Sequence, residues 1–234
     1  MTEQLQRLKL AAVNIDGVLL TDTFSPLIHQ FVVGRGGVYS AELEQRIFSQ
    51  RRAVAGQAMA DAVPQQLTGA QALDAYFAER DAYLADHPVR VTAGAGELLL
   101  RLRALGLRTV CYGGLDRSHF DRHLGQYAGL FDDPVYICTD EVRPGLREIT
   151  ERFGLLHGEV LFIDDVARVA EEAARLGAPF IGHPSSYRHC HQAELMRQAG
   201  VRHLVGALSE IDTALLRTVD AQAAAGSRQP VPVG

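Results

Sequence analysis

With 234 residues, 47% of them hydrophobic and 22% charged, the chain is long enough for one large domain, or one domain carrying an insertion, and can bury a substantial core. Its net charge of −5, with 23 Lys and Arg scattered rather than striped, excludes the basic footprint of a nucleic-acid binder, and no apolar run approaches the roughly 18 residues of a membrane span. The expectation is a cytoplasmic protein whose partner is a small molecule rather than nucleic acid or membrane, with a homodimer left open.

The N-terminus shows no signal-peptide pattern. Three cysteines, Cys111, Cys138 and Cys190, are odd in number and widely spaced, which suits free thiols in a reducing compartment.

The first strong signal is Leu10-Ala11-Ala12-Val13, a short continuous apolar run of the kind found in a buried parallel strand. It ends in Asn14-Ile15-Asp16-Gly17, where two polar side chains share a side of the extended chain and a glycine lets the backbone leave sharply. About seventy residues of helical pattern follow. Gly34-Arg35-Gly36-Gly37 is a turn without the strand and Lys-Ser/Thr of a phosphate loop. Ser40 is the expected cap of a helix with Glu42 and Glu44 in its first turn, and Thr68 with Gln71 has capping-box spacing. Pro88 marks the end of this block.

From Pro88 onward, strand and helix alternate, the pattern of parallel α/β units. Leu98, Leu102 and Leu105 belong to a helix closed by Gly106. The strand Thr109–Tyr112 runs into Gly113-Gly114, and Val135–Cys138 runs into Thr139-Asp140-Glu141. Pro144 suits the first position of a helix carrying Leu146, Ile149 and Phe153. Val160–Ile163 then ends at Asp164-Asp165. A helix follows to Gly177, then a short strand at Pro179-Phe180-Ile181, a helix near Ala193–Met196, a strand-like His203-Leu204-Val205 and a helix capped by Ser209. The segment from Ala221, with Gly226, Ser227, Pro230 and Pro232, has too little apolar content to pack and is expected to be mobile. The polar tips therefore gather at predicted strand C-termini, where open parallel sheets bind ligands.

This order of elements, with Asn14-Ile15-Asp16-Gly17-Val18-Leu19, Thr109–Gly113, Arg143-Pro144 and Leu161–Asp165, resembles the haloacid dehalogenase superfamily, in the branch whose helical cap is inserted after the first motif. The resemblance covers roughly residues 8–216. It implies an α/β fold: a Rossmann-like, three-layer parallel-sheet core from residues 1–19 and 91–216, a helical cap from 20–90, and a tail from 217–234. It also implies a hydrolase-type activity on a small phosphorylated or carboxylated metabolite. In that family the first Asp of the strand-end motif attacks, the second protonates the leaving group, and an acidic pair holds magnesium.

Here the attacking position is Asn14, whose amide is a poor nucleophile and carries one negative charge fewer toward a metal. Asp16 matches the acid/base position. Gly113 falls where the family uses a phosphate-binding hydroxyl, leaving the N–H groups of Gly113 and Gly114 to donate. Arg143 keeps the usual positive charge and adds a fork for phosphate or carboxylate. Asp164 and Asp165 match the acidic pair, so the resemblance implies a weakened magnesium site from Asn14, Asp16, Asp164 and Asp165. Standard phosphatase or dehalogenase chemistry is thereby lost or altered, and the alternative is a non-catalytic ligand-binding or scaffold protein. Each residue also has a plainer role: Arg143 as an ion-pair partner of the acidic pair, Asp16 as a cap where the chain enters the lid.

Other candidates carry less. His183, His189, Cys190 and His191 match no standard zinc spacing and read as a solvated loop. His29, Arg35, Tyr39, Arg51 and Arg52 fall in the lid region, where they could set substrate choice, and Asp116 with Ser118 reads as helix capping.

Overall fold

Residues 4–226 are described by the structure, a computed structural model. Five parallel strands, β1 (Leu10–Asn14), β2 (Arg108–Gly113), β3 (Tyr136–Cys138), β4 (Val160–Asp164) and β5 (Phe180–Gly182), form one sheet in the order β3-β2-β1-β4-β5. β1 is the central strand, so Asn14 ends in the middle of the sheet's carboxyl edge. Every residue of β1 is buried because both faces are covered. Alternation sends Ala11 and Val13 into one core and Leu10 and Ala12 into the other.

Between β1 and the next core helix lie α1 (Phe24–Val33), α2 (Ala41–Ile47), α3 (Arg52–Asp61) and α4 (Gly69–Asp86). Ser40 caps α2 by accepting from the Leu43 N–H, and Thr68 with Gln71 forms the capping box of α4. The chain leaves and re-enters through a narrow stem. Leu20 bridges Val91 in antiparallel fashion, with Thr21 N–H donating to the Arg90 carbonyl at 2.8 Å and Thr92 N–H to the Leu19 carbonyl at 2.9 Å. The core is completed by α5 (Ala95–Ala104), α6 (Arg117–Leu124), α7 (Leu146–Arg152), α8 (Ala167–Leu176), α9 (Gln192–Gln198) and α10 (Thr213–Gly226).

Four local expectations are corrected. Residues 217–226 are not a mobile tail but the greater part of α10, with Leu216 and Val219 buried; residues 227–234 lie outside the described residues. The reason is polar: the buried Asp220 carboxylate accepts from the backbone N–H groups of Gln6, Arg7 and Leu8 at 2.7–2.8 Å, an anchor that apolar content does not reveal. Asp212, not Ser209, caps this helix, accepting from the Leu215 N–H at 2.8 Å. Pro144 stands outside α7, because Gly145 intervenes in the left-handed conformation (φ 86°) with no room for a side chain beside Thr139. His203–Val205 contributes a single bridge, Leu204 to Gly182, rather than a strand.

Candidate functional site

The ends of β1, β2 and β4 open into a cavity of about 150 Å³ beneath the inserted helices. Its floor is polar: Asn14, Asp16, Gly114, Arg143, Asp164 and Asp165. Its roof is largely apolar, with Phe24, Ile47, Phe48, Met59, Tyr76 and Phe77. The residues singled out by sequence thus meet at one place, except Gly113. That glycine sits behind the wall because a Cβ there would lie 2.4 Å from Ile15 Cγ2. The expected slot for a phosphate-binding hydroxyl is filled by the Ile15 side chain.

Asn14 is fully engaged. Its Nδ2 donates to the Asp16 carbonyl at 2.9 Å and to Asp165 Oδ1 at 2.8 Å, while its Oδ1 accepts from the Ile15 N–H at 2.9 Å. The chain then turns at Gly17, whose φ of 83° and whose position 2.1 Å from Asp165 Oδ2, measured from a Cβ placed on it, both demand glycine. Asp16, which lines the cavity, has its Oδ1 2.9 Å from His119 Nε2 on α6.

The acidic pair is almost completely buried. Asp164 Oδ2 accepts from the Tyr112 hydroxyl at 2.5 Å and Oδ1 from the Val166 N–H at 2.8 Å. Burial pushes the Asp164 carboxyl up to about 6, against the Tyr112 hydrogen bond and the Arg143 charge. Burial first, and then the neighbouring Asp164 charge, hold Asp165 well above the ordinary carboxylate range, while the Asn14 hydrogen bond opposes them.

Arg143 packs against Gly114. A Cβ on that glycine would fall 1.5 Å from Arg143 Nη2, so Gly114 serves as the space the guanidinium needs. Arg143 Nε is buried without a hydrogen-bond partner among the described residues. At the rim, Arg52 Nε pairs with Asp140 Oδ2 at 2.8 Å and its Nη2 donates to the Gly114 carbonyl at 3.2 Å. Of the other lid residues, Arg35 pairs with Glu79, while His29 and Tyr39 belong to a separate cluster.

That cluster corrects the reading of residues 183–191 as a solvated loop. His189 stacks on His29 with centroids 4.2 Å apart, and the Tyr187 hydroxyl lies 3.0 Å from His29 Nδ1. Beside them the fully buried Glu44 accepts from the Tyr39 hydroxyl (2.8 Å), the His191 N–H (2.9 Å) and Gln192 Nε2 (2.8 Å). An inserted helix is thereby tied to α9. Sequence reasoning missed this role of Glu44, and also missed His119, Tyr112, Asp22 and Tyr76, the last two of which line the cavity. Tyr112 stood inside the recognised strand Thr109–Tyr112 and His119 one residue past the noted Ser118, yet neither was read as a site residue.

The donor set does not fit the magnesium site that the resemblance implies. Residue 14 presents a donating nitrogen to Asp165, and the Asp16 carboxylate turns to His119. Among the described residues no three of His, Cys, Asp and Glu are gathered to hold a metal ion, and no helix is long and apolar enough to cross a membrane.

No family model and no curated protein matches the chain. Solved structures do. A haloacid dehalogenase (HAD) hydrolase of family IA, variant 3, from Entamoeba histolytica aligns with a TM-score of 0.66 at 14% identity over 92% of this chain and 100% of that one. A predicted phosphoglycolate phosphatase from Haemophilus somnus aligns at 0.61, with 15% identity over 88% and 97%. A HAD family hydrolase from Deinococcus radiodurans with bound phosphate and sodium aligns at 0.59, with 20% identity over 93% and 97%. The fold of this chain is the HAD-like α/β fold.

Proposed function

We propose that this chain, which has the fold of HAD-like hydrolases, is a hydrolase-type protein whose cavity takes a small phosphorylated or carboxylated molecule. The covalent step of ordinary phosphatase or dehalogenase chemistry is closed to it. The observation that carries this reading is the Asn14 side chain. Its hydrogen bonds to Ile15, Asp16 and Asp165 use both its N–H donors and its carbonyl, so the end of β1 offers no nucleophile.

Residues 20–90 act as the cap over a core of 4–19 and 91–226. Arg143 receives the anion: its planar fork matches phosphate or carboxylate geometry, and its buried Nε has no hydrogen-bond partner among the described residues. Asp16, oriented by His119, is the acid/base group. The apolar roof favours a molecule with an apolar body behind its anionic end. The Deinococcus radiodurans protein, which shares this fold, is described with bound phosphate and sodium, which supports an anionic ligand. A second, non-catalytic reading draws support from Glu44, which ties the cap to the core.

The test is a thermal-shift and calorimetric series with inorganic phosphate, phenyl phosphate and phenylacetate on the wild type and Arg143→Gln. Stabilisation by at least one of them, weakened about tenfold or more in the variant, is expected from loss of a charge-assisted pair. Absence of any Arg143-dependent binding sinks the proposal. Turnover of p-nitrophenyl phosphate is assayed alongside. Multiple-turnover hydrolysis abolished by Asp16→Asn eliminates the non-catalytic reading, and silence of the wild type together with activity in Asn14→Asp marks residue 14 as the point where the covalent step was lost.

A further inference from the structure

We infer that the Asn14 amide occupies the position of a divalent cation, so that this strand-end site is complete without metal. The inference goes beyond ligand binding, and its test needs no ligand.

A primary amide carries two N–H donors and one carbonyl acceptor. In Asn14 both donors are spent on oxygens, the Asp16 carbonyl at 2.9 Å and Asp165 Oδ1 at 2.8 Å, while the carbonyl accepts from the Ile15 N–H at 2.9 Å. The partners determine which atom is nitrogen. Rotating the amide by half a turn sets its oxygen against two other oxygens and leaves the Ile15 N–H facing a donor.

Magnesium needs oxygen ligands converging at roughly 2.0–2.1 Å in an octahedron. Here two oxygens converge instead on a polarised NH₂ group. The neighbouring oxygens are also committed: Asp164 accepts from Tyr112 and Val166, and Asp16 Oδ1 is beside His119. The amide therefore does the structural work of a cation. It holds a buried carboxylate beside a backbone carbonyl, and it ties β1 to the residue following β4 across 151 positions of sequence. Replacing a carboxylate by an amide also removes one of the negative charges that a cation would have to balance, which makes the exchange electrostatically consistent.

Magnesium alone is the probe. Melting curves and titration calorimetry are recorded for the wild type, Asn14→Asp and Asp165→Asn in EDTA and in millimolar magnesium chloride. The wild type is expected to shift by less than about 1 °C and to give no saturable heat. Asn14→Asp is expected to melt lower in EDTA and to recover about 5 °C or more at saturating magnesium, as mass action requires of a site that binds only the folded state. A saturable magnesium response of the wild type that Asp165→Asn abolishes overturns the inference. So does an Asn14→Asp protein that folds yet ignores magnesium. Should Asn14→Asp not fold in EDTA, refolding it in magnesium decides: recovery supports the inference and failure overturns it. These outcomes are separate from the Arg143-dependent anion binding above, which can fail or succeed on its own.

Discussion

Glu44→Ala tests whether the inserted helices are locked onto the core. Glu44 has no exposed surface and accepts from Tyr39, His191 and Gln192 at 2.8–2.9 Å; its charge also contributes, after burial, to lifting the Cys190 thiol to about 12. Truncation leaves these three donors, and the weaker Cys190 thiol at 3.9 Å from Oε2, facing a void, at about 1–3 kcal/mol for each strong donor left unpaired. Removing the buried charge itself offsets part of this. A net loss of about 2–4 kcal/mol follows, which for a chain of this size lowers the melting temperature by about 5–15 °C. Glu44→Gln retains one acceptor oxygen and is expected to lose about half as much. Hydrogen exchange should rise together in α2 and in residues 187–192, because the same carboxylate serves both. Glu194→Ala is the control: that residue is exposed and pairs with Arg197 only three positions away, a contact worth less than about 1 kcal/mol. A Glu44→Ala protein that melts within about 1 °C of the wild type, with unchanged exchange in both segments, refutes the lock.

Gly17→Ala should lose several degrees of thermal stability, since its Cβ would be both in the left-handed region and 2.1 Å from Asp165 Oδ2; an unchanged melting curve contradicts the packing described here. Asp220→Ala strips three backbone N–H groups of their acceptor, and a loss of about 2–4 kcal/mol in urea unfolding is expected, against nearly none for a true tail. Asp164 and Asp165 both have raised folded-state values, so each contributes stability that is full below its unfolded value near 3.8 and declines as pH rises above it, through about 6 in the case of Asp164. Asp165→Asn removes one of them. Its stability relative to the wild type should therefore improve from about pH 4 to about pH 7 in paired urea titrations, and a gap that stays constant or moves the other way counts against the buried pair.

The sheet could be read from sequence because each central strand is a short apolar run ending at polar or glycine residues, and burial on both faces requires that pattern. The helix caps at Ser40 and Thr68 were equally readable, being set by neighbours three positions away. What escaped is carried by single polar atoms across long separations. Glu44 fits the first turn of α2 as a dipole partner, and nothing local says that it also faces α9, 148 residues on. Asp220 resembles any surface aspartate until the N-terminal backbone is laid against it. The glycines show the same limit from the other side. A glycine in place of a hydroxyl reads as a deletion, yet Gly113 makes room for Ile15 and Gly114 for Arg143, so neither position is merely empty.

Asn14 combines both cases. Its chemistry is legible from the sequence alone, because an amide cannot attack as a carboxylate does. That the same amide supplies two new donors, and that Asp16 and Asp165 stand where those donors point, depends on the β1–β4 register. The absence of an attacking group at the end of β1 and the hydrogen-bond network there are thus one side chain seen at two levels, and only the second gives the amide a structural role.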